Sequence, residues 1–457
     1  MASPPSPHVL LVSAPMQGHV NPLLVLGRRL ASRGLLVTFS TVPHAGLKFS
    51  HADGASIGVG RGTLRFEHLR GGGLWPSGDP RYRTGSDFLS HLEDAAPAAL
   101  TELIRRQADA GQRVTCVVVN AFAPWALRVV SGLVIPHAIL WTESCAVLSL
   151  YYQHFHKLAN FPSAEAGPNA PVAVPGLPPL AAGDLPGLVH APEQFIWRQM
   201  LVADLRSIRE TASWVLVNTF DELEHETIDA LSAHLQVLPV GPLFDPEIHS
   251  GQDHDDGLAW LDAQPARSVV FVAFGSMLKI SSDEVAELAA GLAATGRPFL
   301  WVVRDDNREL LPDDDCLAPV AGSRGKVVAW SEQGRVLSHR AVGCFVTHCG
   351  WNSTIEALAA GVPVVAYPGW ADQPTNAKFL TDVYGVGVQL PRPMAREALR
   401  RCVEEVMSGP EAGATRERAD RWKAEATGSV AAGGSSDRST QDFVDAVLSM
   451  GAGDDRR

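Results

Sequence analysis

The amino-acid sequence predicts an α/β protein with parallel sheets, divided into two domains. Both halves of the chain repeat a short apolar run, a Gly-rich or polar turn and an amphipathic segment, which is typical of βα units. At ~150 residues per domain, the 457 residues give two or three domains, and two is the more natural count for an α/β chain. Hydrophobic residues make up 46% of the chain, which is enough to fill large cores.

The first half opens with a buried strand at 8–14, followed by a polar turn. Asn21 is the predicted N-cap of the next helix, with Pro22 at its first position and Gly34 at its end. Leu residues at helical spacing give this helix one apolar face. Further strands are predicted at 35–40, 116–119 (ending at Asn120), 268–274, 299–303, 343–347 and 362–367.

The second half begins after a stretch that lacks periodicity and is rich in Pro, Gly, Asp and His. We expect this stretch, 243–258, to link an N-terminal domain at 1–242 to a C-terminal domain at 259–436. A capping box at Ser281–Glu284 opens a helix in the second domain. A last helix, at about 437–450, could pack back on the first domain.

The charge balance excludes some classes of partner. The chain has 38 Lys and Arg against 50 Asp and Glu, a net charge of −12, which disfavours binding to nucleic acid or to an anionic membrane. Its most apolar stretch, 133–152, is interrupted by Pro136, His137 and Glu143, so we expect a buried segment and not a membrane span. Six scattered cysteines and an N-terminus without a basic region predict a cytoplasmic protein with no disulfide framework and no signal peptide.

Most of the chemistry is predicted between residues 330 and 373. The strand at 343–347 leads into a helix near Asn352, and a helix N-terminus offers unpaired N–H groups that suit a phosphate or pyrophosphate. Gly350 allows an anion to approach the backbone. Side-chain donors at the same point are supplied by His348, Asn352 and Ser353.

The two flanks of this anion site suit the rest of a nucleotide sugar. Glu356, one helical turn further on, is placed to accept the two hydroxyls of a ribose. Trp330 offers an indole face to a planar base, and Gln333 lies close to it in sequence. Asp372 and Gln373 follow the next strand and could bind sugar hydroxyls. The residues therefore predict a nucleotide-diphosphate-sugar site at the carboxyl ends of parallel strands.

This segment resembles the 44-residue signature box of the plant family-1 UDP-dependent glycosyltransferases. The W-x-x-Q opening, the H-C-G-W-N-S-x-x-E centre and the D-Q ending all fall in register, and the segments 17–22 and 433–438 also resemble family motifs. The resemblance implies the GT-B fold, in which two Rossmann-like domains face each other and no metal is required. It implies UDP-glucose as donor substrate, because the box ends in Gln373 with Trp351 at its middle, and it implies no cofactor.

The family pattern also implies a role for each residue of the box. Trp330 would stack on uracil and Ser331 would contact its edge, while Gln333 and Glu356 would hold the ribose. The implied pyrophosphate ligands are His348, Asn352, Ser353 and Ser276, and the implied sugar ligands are Trp351, Asp372 and Gln373. Thr142 is expected to touch the sugar or the phosphate.

His19 is the predicted general base, placed in the loop after the first strand and facing the cleft between the domains. In the family a carboxylate usually supports this His, and here that position is Asn120. An Asn can orient the imidazole but cannot stabilise imidazolium, which favours an acceptor that is already acidic. Glu143 is either the missing acid partner or a satisfied buried carboxylate, and the second is favoured.

The chain most resembles the branch that forms glucose esters of aromatic acids, whose relatives also glucosylate polyphenols. The leading hypothesis is inverting transfer of glucose to a small phenol or carboxylate, by a monomer without protein partners. C-glucosylation of an electron-rich ring and a catalytically weak UDP-sugar-binding regulator are the alternatives. A nicotinamide-dependent oxidoreductase is disfavoured because the chain lacks G-x-G-x-x-G between a strand and a helix.

A metal site is not expected. Cys344 and Cys349 lie on and just past a strand whose side chains alternate between faces, so they would not converge on one ion. The acidic run 313–315 resembles a D-x-D metal motif, but it lies in a polar loop away from the signature box, which is typical of a solvated charge run.

Overall fold

The computed structural model describes residues 7–44, 47, 51–77, 79–83, 85–246, 256–275, 280–303 and 324–454. These residues form two largely parallel sheets covered by helices, so the predicted α/β class is confirmed. Three predicted features lie outside the described residues: Ser276, the acidic run 313–315 and most of the predicted linker. The domain boundaries therefore stay predictions.

The first sheet has eight strands in the order β10-β9-β6-β5-β1-β2-β4-β3. All neighbours are parallel except β3 and β4, which form an antiparallel pair at one edge. Its strands are β1 His8–Val12, β2 Leu36–Ser40, β3 Ser56–Val59, β4 Gly62–Phe66, β5 Cys116–Asn120, β6 His137–Trp141, β9 Trp214–Val217 and β10 Val237–Pro239. A separate short hairpin joins β7 Pro171–Val172 and β8 Leu180–Ala181.

The second sheet has six strands in the order β13-β12-β11-β14-β15-β16, all parallel. They are β11 Val269–Ala273, β12 Phe299–Val302, β13 Gly325–Val328, β14 Val342–Thr347, β15 Val364–Ala366 and β16 Gly387–Gln389. The central strand β11 is fully apolar and buried, as expected of a strand covered on both faces. In both sheets the carboxyl ends of the central strands carry the loops in which the sequence places its candidate ligands.

Fourteen α-helices connect and cover these strands in the described part of the chain. They are α1 Gln17–Ser32, α2 Gly85–Asp109, α3 Pro124–Gly132, α4 Cys145–Phe155, α5 Ile196–Glu210, α6 Asp221–Ser232, α7 Asp256–Asp262, α8 Ser282–Ala294, α9 Gln333–Ser338, α10 Trp351–Ala360, α11 Gln373–Lys378, α12 Arg396–Ser408, α13 Ala412–Val430 and α14 Ser435–Asp454. None of the described helices is both long enough and apolar enough to cross a membrane.

Two predicted helix starts have different outcomes. The capping box is confirmed, because the Ser281 hydroxyl accepts from the Glu284 N–H while the Glu284 carboxylate accepts from the Ser281 N–H. The prediction for α1 is wrong: the helix begins at Gln17, and Pro22 lies inside it instead of at its first position. A proline in the helix interior removes one main-chain N–H, so the carbonyl of Gly18, four residues earlier, is left without its helical donor.

The last helix returns to the first sheet. Phe443, Val444 and Val447 of α14 are buried in the same apolar cluster as the strands β1 and β2. Arg33, the residue that follows α1, forms an ion pair with Asp437 near the start of α14. The C-terminal helix thus ties the two halves of the molecule together on the side of α1.

Candidate active site

The loops at the carboxyl ends of the two sheets meet through direct hydrogen bonds. The Asn352 Nδ2 donates to the Gly18 carbonyl at 2.7 Å, which is the carbonyl that Pro22 leaves open. The Trp351 Nε1 donates to the Asn218 carbonyl, also at 2.7 Å. These contacts join the start of α10 to the loops of the first sheet and bring His19 next to the signature box.

The N-terminus of α10 has the shape of an anion site. The helix starts at Trp351, after Cys349 in a left-handed conformation (φ 65°) and Gly350 as N-cap. A side chain on Gly350 would lie 2.6 Å from the His348 Nε2, and one on Gly275 would lie 2.5 Å from it. The His348 imidazole therefore lies directly against Gly350, at the start of α10, and against Gly275, so a side chain at either position would displace the ring.

Two predicted ribose ligands contact each other. The Gln333 Nε2 donates to the Glu356 Oε2 at 2.7 Å and to the Ser353 Oγ at 3.0 Å. Burial raises the pKa of Glu356 to about 7, although the Gln333 hydrogen bond opposes that shift. The structure thus brings together Gln333, Ser353 and Glu356, with the buried Ser331 and the partly exposed Trp330 just before α9.

The predicted sugar ligands are held by the local backbone. The Asp372 Oδ2 accepts from the Trp351 N–H at 2.9 Å and from the Asn376 Nδ2 at 2.7 Å. The Gln373 Oε1 accepts from the Gly369 N–H at 2.8 Å. Because the indole N–H of Trp351 is bonded to the Asn218 carbonyl, the side chain of Trp351 positions the loop.

A second carboxyl group lies near Asp372. Burial raises the pKa of Asp372 to about 6, and burial and the neighbouring Asp372 raise the pKa of Glu143 well above its usual range. The Glu143 Oε2 is buried and has no hydrogen-bond partner among the described residues, contrary to the expectation of a satisfied core carboxylate. Glu143 also forms no hydrogen bond with His19, so it is not the missing acid partner of the imidazole in this structure.

His19 lies in the first turn of α1 and not in the loop before the helix. Its Nδ1 is 3.4 Å from the Thr142 Oγ1, and its ring packs edge-on against Phe122 at a centroid distance of 6.1 Å. Burial lowers the pKa of His19 to about 4, so the imidazole is neutral at physiological pH.

Asn120 does not orient His19, contrary to the sequence-based expectation. Its Oδ1 accepts from the Ser13 hydroxyl at 2.9 Å, and its buried Nδ2 has no partner among the described residues. The two predicted catalytic residues therefore have different partners: Asn120, at the end of β5, contacts Ser13, and His19, in α1, contacts Thr142. Thr142, predicted as a sugar or phosphate ligand, is the group that contacts the imidazole.

An aromatic cluster lies beside His19. Phe122 packs against Trp141 and Trp197, with ring centroids 6.4 and 5.7 Å apart. Phe122 has a left-handed backbone (φ 62°), and its N–H donates to the buried carboxyl of Asp204 on α5. Sequence analysis missed Asp204, because a single acid in an amphipathic helix gives no signal that it is buried.

Comparison with known proteins identifies the family of this chain. The model of the family "UDP-glucoronosyl and UDP-glucosyl transferase" matches residues 243–413. Gallate 1-beta-glucosyltransferase 84A24 from Punica granatum is 41% identical, over 96% of this chain and 88% of that protein. The chain belongs to this family. This glycosyltransferase is also 38% identical to cinnamate beta-D-glucosyltransferase from Fragaria ananassa, over 97% of this chain and 83% of that protein.

The solved structures agree on the fold. Os79 from O. sativa, in complex with a trichothecene, superposes with a TM-score of 0.85 at 31% identity, covering 96% of this chain and 100% of that one. A further Os79 structure contains UDP. The predicted GT-B fold and the predicted resemblance are thus confirmed, and the protein is a UDP-dependent glycosyltransferase.

Proposed function

We propose that this enzyme transfers glucose from UDP-glucose to the carboxylate of a small aromatic acid, with inversion at C1, and so forms a glucose ester. The observation that carries the proposal is the state of His19: it is neutral, and no carboxylate among the described residues hydrogen-bonds to it. The relatives named for gallate and cinnamate support the same class of acceptor.

The donor half of the proposal rests on the groups around α10. Trp330, Ser331, Gln333 and Glu356 hold the nucleoside. The diphosphate ligands are His348, Asn352, Ser353, the backbone at Gly350 and, outside the described residues, Ser276. Asp372 and Gln373 hold the sugar, with Trp351 behind them. The positive end of the α10 dipole stabilises the charge that develops on UDP as it leaves, so the step requires no metal.

The acceptor half needs no proton transfer. A carboxylate oxygen forms the bond to C1 of glucose while the bond from C1 to the UDP oxygen breaks, and UDP keeps the electron pair. The acceptor is already ionised at neutral pH, so a base is superfluous. The aromatic ring is proposed to lie against Phe122 and Trp197, which form the apolar side of the pocket around His19.

Transfer to a phenol is the second candidate. A neutral imidazole is in the protonation state that a general base requires, so His19 could take the phenolic proton, as predicted from the sequence. C-glucosylation would require the same base. The carboxylate is favoured because the imidazolium formed by proton abstraction would be buried without a counter-charge.

The test is product formation from UDP-glucose with matched aromatic acids and phenols, by the wild type and His19→Ala. We expect carboxylates to be the better substrates, with products that mild base hydrolyses and with turnover that survives EDTA. Base-stable products from phenols or ring carbons alone would overturn the ester assignment. Native mass spectrometry and subcellular fractionation would test the predicted monomer and cytoplasmic location.

A further inference from the structure

The imidazole of His19 has one polar partner among the described residues, and that partner constrains which ring nitrogen carries the proton. Nδ1 faces the Thr142 hydroxyl at 3.4 Å. Asn120, the residue that could have accepted a hydrogen bond from Nδ1–H, instead accepts from Ser13. The imidazole of a neutral histidine has one donor and one acceptor nitrogen. The direction of the hydrogen bond between Thr142 and Nδ1 therefore determines which nitrogen carries the proton.

Thr142 is 5% exposed, and its hydroxyl contacts His19 Nδ1 and no other polar group among the described residues. If Nδ1 carried the proton, the hydroxyl would act as an acceptor and its own buried proton would have no acceptor. If Nδ1 is unprotonated, the Thr142 hydroxyl donates to it, and the proton on Nε2 belongs to a partly exposed ring, where solvent or a substrate can accept it. A buried donor without a partner is costly, which selects the second arrangement.

From this geometry we propose that Thr142 fixes His19 as the Nε2–H tautomer, so that His19 acts as a hydrogen-bond donor to the acceptor carboxylate. Thr142 is then a positioning residue and His19 a binding residue, and neither removes a proton. This inference rests on the proposed function, because it assigns the acceptor contact of the ester-forming reaction.

The arrangement discriminates between the two acceptor classes. A carboxylate has two oxygens: one accepts from Nε2–H while the other attacks C1. A phenol has a single oxygen whose proton must leave, and an Nε2 that already carries a proton cannot receive it. The contact between Asn352 and Gly18 holds the start of α1, which carries His19, beside the proposed diphosphate site.

The experiment compares 4-methoxybenzoate with 4-methoxyphenol as acceptors for the wild type, Thr142→Val and Thr142→Ser. We expect Thr142→Val to lower kcat/KM for the benzoate about twofold, because in a roughly equal mixture of tautomers about half of the molecules can donate from Nε2. The ratio of benzoate to phenol turnover should fall with it, and Thr142→Ser should restore that ratio. Thr227→Val is the matched control, since it removes another buried threonine hydroxyl, bonded to the Gly176 carbonyl, away from the site.

Two kinetic results would overturn the inference. A loss confined to the phenol would mean that Thr142 accepts from Nδ1–H and that Nε2 is a base. An equal loss with both acceptors, through a raised KM for UDP-glucose, would mean that Thr142 is a ligand of the donor sugar.

A spectroscopic measurement tests the tautomer without turnover. The ¹⁵N signals of histidine-labelled protein, assigned by their loss in His19→Ala, should show a protonated Nε2 and a bare Nδ1 in the wild type. They should shift toward a mixture in Thr142→Val. A protonated Nδ1 would refute the proposed tautomer, whether or not the enzyme turns over either acceptor. Failure of the wild type to use either acceptor would refute the proposed function instead.

Discussion

Replacing Glu356 by Gln should stabilise the free enzyme at neutral and alkaline pH. The pKa of Glu356 is about 7 in the folded protein, against 4.5 for an ordinary Glu, because the carboxyl is buried. The unfolded chain therefore releases its proton at lower pH than the folded chain does, and stability falls as the pH rises from about 4.5 to about 7. Each pKa unit corresponds to ~1.4 kcal/mol, so the cost above pH 7 reaches about 3 kcal/mol.

The variant Glu356→Gln removes this titration and keeps an acceptor for Gln333. Its free energy of unfolding should exceed that of the wild type by an amount that grows about 2 kcal/mol between roughly pH 5.5 and pH 8. This change of about 2 kcal/mol is an upper limit, because the Glu356 side chain retains some exposure and solvent screens its charge. Affinity for UDP should fall at the same time, because an amide accepts fewer hydrogen bonds from a ribose than a carboxylate does.

Urea unfolding followed by tryptophan fluorescence at several pH values measures the first effect, and titration calorimetry with UDP measures the second. Glu425→Gln is the control, because it makes the same replacement at an exposed position of α13. A stability difference for Glu356→Gln that is independent of pH, or that shrinks as the pH rises, would refute the reasoning.

Three further changes test other contacts of the site and the fold. Asp204→Ala leaves the Phe122 N–H buried without its acceptor, so it should destabilise the protein by about 1–3 kcal/mol in urea unfolding, whereas Asp204→Asn should recover most of the loss. Trp351→Phe removes the hydrogen bond to Asn218; we expect a KM for UDP-glucose that rises several-fold in steady-state kinetics, and an unchanged KM would contradict the positioning role. Phe443→Ala opens a cavity under α14 and should lower the free energy of unfolding by about 3–5 kcal/mol, measured by calorimetric melting. A much smaller loss of stability would mean that α14 is not part of the core.

The donor site could be predicted from the sequence because its parts are close together in the chain. A strand, a glycine turn and a helix N-terminus follow one another between 342 and 360, and their order fixes where the anion donors point. Gln333 and Glu356 are separated by 23 residues and belong to the same local unit. The motif therefore indicated both the chemistry of this half of the site and its approximate geometry.

The acceptor side could not be predicted in the same way. His19 and Thr142 are 123 residues apart, and Phe122 and Asp204 are 82 apart. Each pair meets only because β1, β5 and β6 are neighbours in the sheet and α5 packs beside them, which periodicity and spacing do not encode. Burial then changes the chemistry, as it does for the pKa of His19.

The sequence by itself determined the fold class, the parallel sheets and the donor ligands, since hydrophobic periodicity and turn chemistry act over a few residues. Tertiary structure decided which group contacts the imidazole. Pro22 illustrates the division: the residue was visible in the sequence, but only the packing of the two sheets places Asn352 against the Gly18 carbonyl that Pro22 leaves open. A side chain's hydrogen-bond partner depends on which backbone and side-chain atoms the whole fold brings within about 3 Å of it, and that distance is fixed by non-local packing.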